Sequence, residues 1–148
     1  MTHPFIEHVN VTVSDPDRSA ALLAAIFGWR ERWRGTAHNG GPVIHLGSDR
    51  AYVALYTGPD GEHLGVAHDK GAPLNHIGVQ VDDLDAIETR VIAAGLVPHS
   101  HGDYEPGRRF YFFDPDGIEY EVVSYAERTT VPYDAAHERL SHLHLVLK

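Results

Sequence analysis

Arg108 to Tyr125 reads RRFYFFDPDGIEYEVVSY, two strand-forming runs around a four-residue turn. Phe110, Tyr111, Phe112 and Phe113 favour an extended chain. In Asp114-Pro115-Asp116-Gly117, proline pre-sets φ and glycine accepts positive φ without steric cost. Ile118 to Tyr125 returns as the second strand, with Glu121 between Tyr120 and Val122. A carboxylate in an apolar strand is costly to bury unless opposite charge meets it. What meets Glu121 is the question for the rest of the chain.

Outward from this hairpin, the chain repeats itself. Leu74 to Asp83, LNHIGVQVDD, lies over Ile6 to Asp15, IEHVNVTVSD, at an offset of 68, so His76 falls on His8. Ala51 to Tyr56 lies over Ile118 to Val123 at an offset of 67, so Glu121 falls on Ala54. A helix follows the first strand of each copy. One is expected from about Asp17 to Phe27, with Asp15 as N-cap, Pro16 at the first position and Gly28 as the stop. Its buried side carries Leu22, Leu23, Ile26 and Phe27. The other runs from about Leu84 to Ala94 and is closed by Gly95. Trp29 to Trp33 is expected as a strand, Gly35 to Gly41 as a loop, and Val43 to Leu46 with Ala51 to Tyr56 as a strand pair.

This is a duplicated β-α-β-β-β unit. The short turns between the later strands point to mixed, largely antiparallel sheets. The expected class is α+β: two tandem modules forming a cupped mixed β-sheet, with helices on the outer face. Residues 1–125 make a single domain, with module one at about 4–57, a Gly/Pro-rich connector at 58–73 and module two at 74–125. Residues 126–148 are an extension without a counterpart in the first copy. They are read as a short helix, Tyr133 to Ser141, then a strand or dimer contact from His142.

Composition excludes several function classes. Of 148 residues, 21 are acidic and 12 basic, a formal charge of −9 with no basic run, which argues against nucleic acid. There is no cysteine, so disulfides, thiolate metal sites and cysteine nucleophiles are excluded. The N-terminus lacks a charged region followed by an apolar one, and the longest apolar run, Ala20 to Phe27, is too short to span a bilayer. A cytoplasmic protein without membrane or nucleic-acid partners is expected. Twelve histidines are many for this length, and most of them are ordinary surface residues.

Strand periodicity selects among them. Val9, Val11 and Val13 share the helix-facing side of the first strand, leaving His8, Asn10 and Thr12 towards the cup. The duplication places His76 likewise, and Glu121 shares that cup. Two imidazoles and one carboxylate suit a divalent first-row metal with open positions for other ligands. For one histidine alone, a hydrogen-bonded core residue is the simpler reading; matched positions plus a buried-strand glutamate favour a metal set of His8, His76 and Glu121. Such a metal would be the charge Glu121 needs. Glu119 shares the parity of Glu121 and reads as a rim charge or a base. Arg108 and Arg109 are either anchors for an anionic substrate or solvated strand-end charges. Trp29, Trp33, Tyr52, Tyr56, Tyr104 and Tyr111 either line a partly apolar pocket or belong to plain core or interface.

HVNVTVSDPDRS from His8, NHIGVQVDDLDA from Asn75 and FFDPDGIEYE ending at Glu121 resemble the vicinal oxygen chelate superfamily. That superfamily includes glyoxalase I, fosfomycin-resistance enzymes, extradiol dioxygenases and bleomycin-resistance proteins. The resemblance covers about residues 4 to 125. It implies a small-molecule substrate that chelates a metal through neighbouring oxygens. Glyoxalase I enzymes usually carry Glu or Gln where this chain has Ala54, and a methyl group cannot bind metal. The resemblance therefore implies first an extradiol-type dioxygenase holding Fe(II) or Mn(II). A glyoxalase- or fosfomycin-type lyase or transferase, with Zn, Ni or Co also suitable, is the alternative, and a metal-free bleomycin-type binding protein is a second. By the extradiol signature Tyr111 would contact the substrate, and His99 or His101 would move protons. Asn10 stands where fosfomycin enzymes usually have Thr, and joins Tyr52, Tyr56 and Arg109 as expected substrate contacts. A homodimer is expected, with the cup formed within or across subunits.

Overall fold

The computed structural model describes residues 3–61, 73–104 and 107–125. The elements are β1 His8–Thr12, α1 Pro16–Phe27, β2 Arg30–Thr36, β3 Pro42–Gly47, β4 Tyr52–Tyr56, β5 Ile77–Gln80, α2 Leu84–Ala93, β6 His99–Tyr104, β7 Gly107–Phe113 and β8 Glu119–Tyr125. The expected extension at 126–148 and most of the connector, with His63 and His68, lie outside the described residues.

Each half is a four-stranded mixed sheet with one helix, which makes the fold α+β. The strand orders are β1-β4-β3-β2 and β5-β8-β7-β6. In both, the first strand pairs parallel with the last, and the other pairings are antiparallel. Both halves also carry a bulge at the start of the helix-to-hairpin strand, between Glu31 and Trp33 and between His99 and Gly102.

Local chemistry sets the boundaries. The Asp15 carboxylate accepts from the Arg18 backbone N–H at 3.1 Å and Pro16 opens α1. Gly28, at φ 69°, stops it with its N–H on the Ala24 carbonyl. Asp83 caps α2 in the same way, accepting from Ala86 at 3.0 Å. The β7–β8 turn is held by Asp114, whose carboxylate accepts from the backbone N–H of Asp116 and of Ile118, each at 2.9 Å. Gly117 takes φ 84° there, as turn chemistry requires.

One strand boundary differs from expectation, and one strand carries no periodic signal. β2 does not end at Trp33 but continues through Gly35 to Thr36, because Gly35 pairs with Val43 and Thr36 with Pro42. The Trp33 indole lies across Gly35, where a Cβ would come within 2.4 Å of the ring, so glycine here serves packing rather than a loop. β6 is an edge strand of sequence HSHGDY whose composition shows no apolar alternation; pairing with β7 makes it a strand.

One core joins the halves. Val11, Leu23, Ile26, Leu46 and Leu55 from the first cluster with Val91, Phe110, Phe112, Tyr120 and Val122 from the second. Burying each large side chain contributes about 1.5–3 kcal/mol. Phe27, at the end of α1, reaches Phe112 and Tyr120, both at 6.1 Å between ring centroids. Arg90 of α2 donates to the Ile26 carbonyl, and the Ser14 N–H donates to Asp116. The opposite faces of the sheets point away from this core and carry the candidate site residues. β1 and β5 are edges of their sheets, and each pairs with one strand only among the described residues. No helix among these residues is long and apolar enough to cross a membrane.

Candidate functional site

Strand parity aims Arg109, Tyr111, Glu119 and Glu121 at the face away from the core, while Phe110, Phe112, Tyr120 and Val122 fill the core side. Glu121 is the centre of that face. Its Oε1 accepts from Arg109 Nη1 at 2.9 Å, and its Oε2 lies 3.0 Å from His76 Nε2. Arg109 and His76 thus meet the carboxylate, and the Tyr111 hydroxyl donates to it as well. Both members of the Arg109–Glu121 pair are largely buried, with side chains 15% and 13% exposed. Arg109 is therefore no solvated strand-end charge; Arg108, which pairs with Asp85 of α2, is exposed.

Aromatic groups wall this pair. Tyr111 lies opposite Glu121 in register and meets the His76 ring edge-on at 5.7 Å. Burial, and then the charge of Glu121, push its phenol above the ordinary range, so it stays a protonated donor at neutral pH. The Arg109 guanidinium stacks over Tyr104 at 4.7 Å, and the Tyr104 ring lies across Gly102. His99 stacks on Phe113 at 5.0 Å and on Tyr111 at 6.2 Å. Its Nδ1 meets the Ser100 hydroxyl, and its buried Nε2 has no hydrogen-bond partner among the described residues.

Other expected residues fall elsewhere. His101 turns to the helix side, against Glu88 of α2 and the Phe110 ring. The bulge in β6 gives His99 and His101 their different surroundings, although simple alternation would put them on one face. Glu119 is buried rather than a rim charge, at 4% exposure. In the first half, His8 is exposed, pairs with Glu7 and stacks on Tyr52 at 4.9 Å. Asn10 is exposed and lies opposite Ala54 in register. The Tyr56 hydroxyl accepts from the Asn39 amide at 2.6 Å.

His45 was missed. It lies opposite Ala54 on β3 and stacks on Tyr52 at 4.4 Å and against Trp33 at 4.9 Å. Burial, then the positive charge of His8 and Arg32, hold its pKa below 6.5. The signal was available: a polar side chain within the apolar strand Val43 to Leu46 asks the same question as Glu121.

Among the described residues of one chain, no three His, Asp or Glu side chains stand close enough to hold a metal. Two do fit one ion. His76 Nε2 and Glu121 Oε2 are 3.0 Å apart. Adjacent ligands around an octahedral ion with bonds of about 2.1 Å are separated by about 3.0 Å.

The family model described as Glyoxalase/Bleomycin resistance protein/Dioxygenase superfamily matches residues 5–122, and the chain belongs to that superfamily. A glyoxylase/bleomycin resistance protein/dioxygenase domain from Frankia sp. EAN1pec is 25% identical with a TM-score of 0.72, over 84% of this chain and 99% of that one. The fosfomycin resistance protein FosX from Mesorhizobium loti is 24% identical with a TM-score of 0.63, over 95% and 99%. A variant of FosX from Listeria monocytogenes, solved with Mn(II) and 1S,2S-dihydroxypropylphosphonic acid, is 19% identical with a TM-score of 0.65, over 94% and 99%. At these identities the two FosX structures speak for the fold. A comparison with curated protein sequences finds no match.

Proposed function

We propose that this protein is a divalent-metal-dependent enzyme that works as a homodimer, each metal held by His76 and Glu121 of one chain and His8 of the other. The carrying observation is the pair of donor atoms, His76 Nε2 and Glu121 Oε2, converging at 3.0 Å on an edge-strand module. His8 lies on β1 and His76 immediately before β5, and each of these strands is an edge of its sheet among the described residues. Joining β1 of one copy to β5 of the other would complete both ladders and bring the third ligand. The exposed Phe5 and Ile6, just before β1, would be covered at the same joint. Manganese in the FosX structure from Listeria monocytogenes supports a divalent ion of that kind.

A metal bound there supplies Lewis acidity to two neighbouring substrate oxygens. The chain's own residues do the rest. Arg109 fixes one oxygen of Glu121, which leaves the other aimed at the His76 side. Tyr111, kept protonated beside Glu121, would turn its hydroxyl from that carboxylate to negative charge that develops on the substrate. The arrangement suits a lyase- or transferase-type reaction through an oxyanion. Oxygen-dependent ring cleavage is the second reading, and the buried, unpartnered Nε2 of His99 beside Tyr111 favours it as a proton carrier. Oxygen uptake during turnover separates the two.

Mixing two inactive variants tests the shared centre. His8→Ala and His76→Ala each remove one ligand from every site. In a refolded equimolar mixture, half the dimers are mixed, and each of these keeps one intact site of two. About a quarter of wild-type Mn(II) binding and activity should return, as two-fold symmetry dictates. If each site lies within one chain, the mixture stays as empty as its components.

A further inference from the structure

We infer that the outward face of the first half carries a binding subsite for a planar aromatic anion, built from Arg32, Trp33, His45 and Tyr52. One ring from each strand of the sheet stands in a continuous row: His8, Tyr52, His45 and Trp33, at successive centroid separations of 4.9, 4.4 and 4.9 Å. The first two contacts are nearly parallel, at 12° and 25°. These rings lie on the face opposite the shared core, so packing the interior does not explain them. Side chains stand roughly perpendicular to a sheet, so the stacked rings of His8, Tyr52 and His45 present their edges outward, while the Trp33 indole, tilted 49° from His45 and laid across Gly35, closes the row. Ring edges carry the positive end of the aromatic quadrupole and favour the face of a π-system laid across them.

The charge is built in as well. Glu31 pairs with Leu46 and Trp33 with His45, which leaves Arg32 as the extra residue of the bulge. A bulge re-aims a side chain. Here Arg32 lies over Tyr52 at 4.7 Å, on the same face as Trp33. The indole is seated across Gly35 and remains 48% exposed, so it is both positioned and accessible. An aromatic row with a guanidinium at its side matches a ligand with a flat ring and one negative group. A small aliphatic acid would use the guanidinium alone.

The subsite borders the proposed metal centre through His8, and its place in catalysis rests on that reading; its affinity for a ring does not. The test is therefore run on the full chain with EDTA present, then with Mn(II). Calorimetric titration with 1-naphthoate is compared with its saturated counterpart, decahydronaphthalene-1-carboxylate. We expect saturable naphthoate binding at least tenfold tighter than the saturated acid under both conditions. Trp33→Leu should weaken naphthoate binding at least fivefold and barely change the saturated acid. Arg32→Gln should weaken both acids. Both positions are exposed, and an unchanged melting temperature verifies that the variants fold. Equal affinity for the two acids, or naphthoate binding unchanged by Trp33→Leu, overturns the subsite. If Mn(II) is not taken up while ring-selective binding persists, the metal reading fails and the subsite stands.

Discussion

The two halves share a backbone plan and invert its chemistry. At the centre of one outward face, Glu121 is flanked in register by Gly78 and Tyr111; at the other, Ala54 is flanked by Asn10 and His45. Arg109 occupies the place that Val43 holds in the first half: each is one pairing from the bulged strand's glycine, Gly102 or Gly35. The carboxylate and its guanidinium thus occur together in the second half and are absent together from the first. Even the glycines match, for Gly35 seats the Trp33 ring and Gly102 seats Tyr104. What differs is what the seated ring faces: a histidine in the first half and a cation in the second. One scaffold therefore supports a ring row and a charge cluster, and the charge pair itself is present or absent through two positions, Val43 and Ala54 or their counterparts Arg109 and Glu121.

The common part of the plan should tolerate least. Phe112 is fully buried and touches both Phe27 of the first half and Tyr120 of the second. Phe112→Ala should cost about 3–5 kcal/mol. Urea unfolding followed by both far-UV circular dichroism and tryptophan fluorescence checks this. Both tryptophans lie in the first half, so a loss confined to the dichroism signal would mean the halves do not share a core.

A smaller change tests whether the carboxylate needs its guanidinium. Ala54 is 2% exposed, so Ala54→Glu places a carboxylate there without its partner and should cost about 1–3 kcal/mol. Val43→Arg alone should also destabilise the chain. Together they re-create the pairing of Arg109 with Glu121, and the double variant should recover about 0.5–3 kcal/mol relative to the sum of the two costs. Strict additivity would show that the second-half pair depends on surroundings beyond these two positions.

Much of this was legible in the residues. The offsets that align His8 with His76 and Ala54 with Glu121 disclose the duplication, and alternation in β1 and β8 assigns their faces correctly. Asp15, Pro16 and Gly28 mark the limits of α1 because capping is local chemistry. What alternation could not supply is cross-strand register. The end of β2 and the separate surroundings of His99 and His101 depend on a cross-strand pairing and a bulge that override the period of two, and neither leaves a local mark. Glu121's partner was sought in a metal alone because Arg109 is twelve residues away, and only the β7–β8 register brings them together. His8 stays apart from His76 within one chain for a reason no alternation pattern encodes: the edges β1 and β5 belong to separate sheets.

The finest test of the comparison is a pH dependence confined to the ring row. Burial, then the charges of His8 and Arg32, hold His45 below its ordinary value of 6.5, and Glu7 offsets them only in part. The folded chain therefore binds fewer protons at this position than the unfolded chain does, between the lowered value and 6.5. Stability must fall as pH drops through that window and recover as pH rises. Replacing His45 with Phe keeps a ring between Tyr52 and Trp33 and removes the titration. Urea midpoints measured at pH 7.5, 6.5 and 5.5 should then decline less steeply in the His45→Phe variant than in the parent. The difference between the two slopes reports the loss of this imidazole together with its repulsion of His8. Parallel slopes would mean that the imidazole is no more desolvated than in an unfolded chain, and that the row is open to water between its rings.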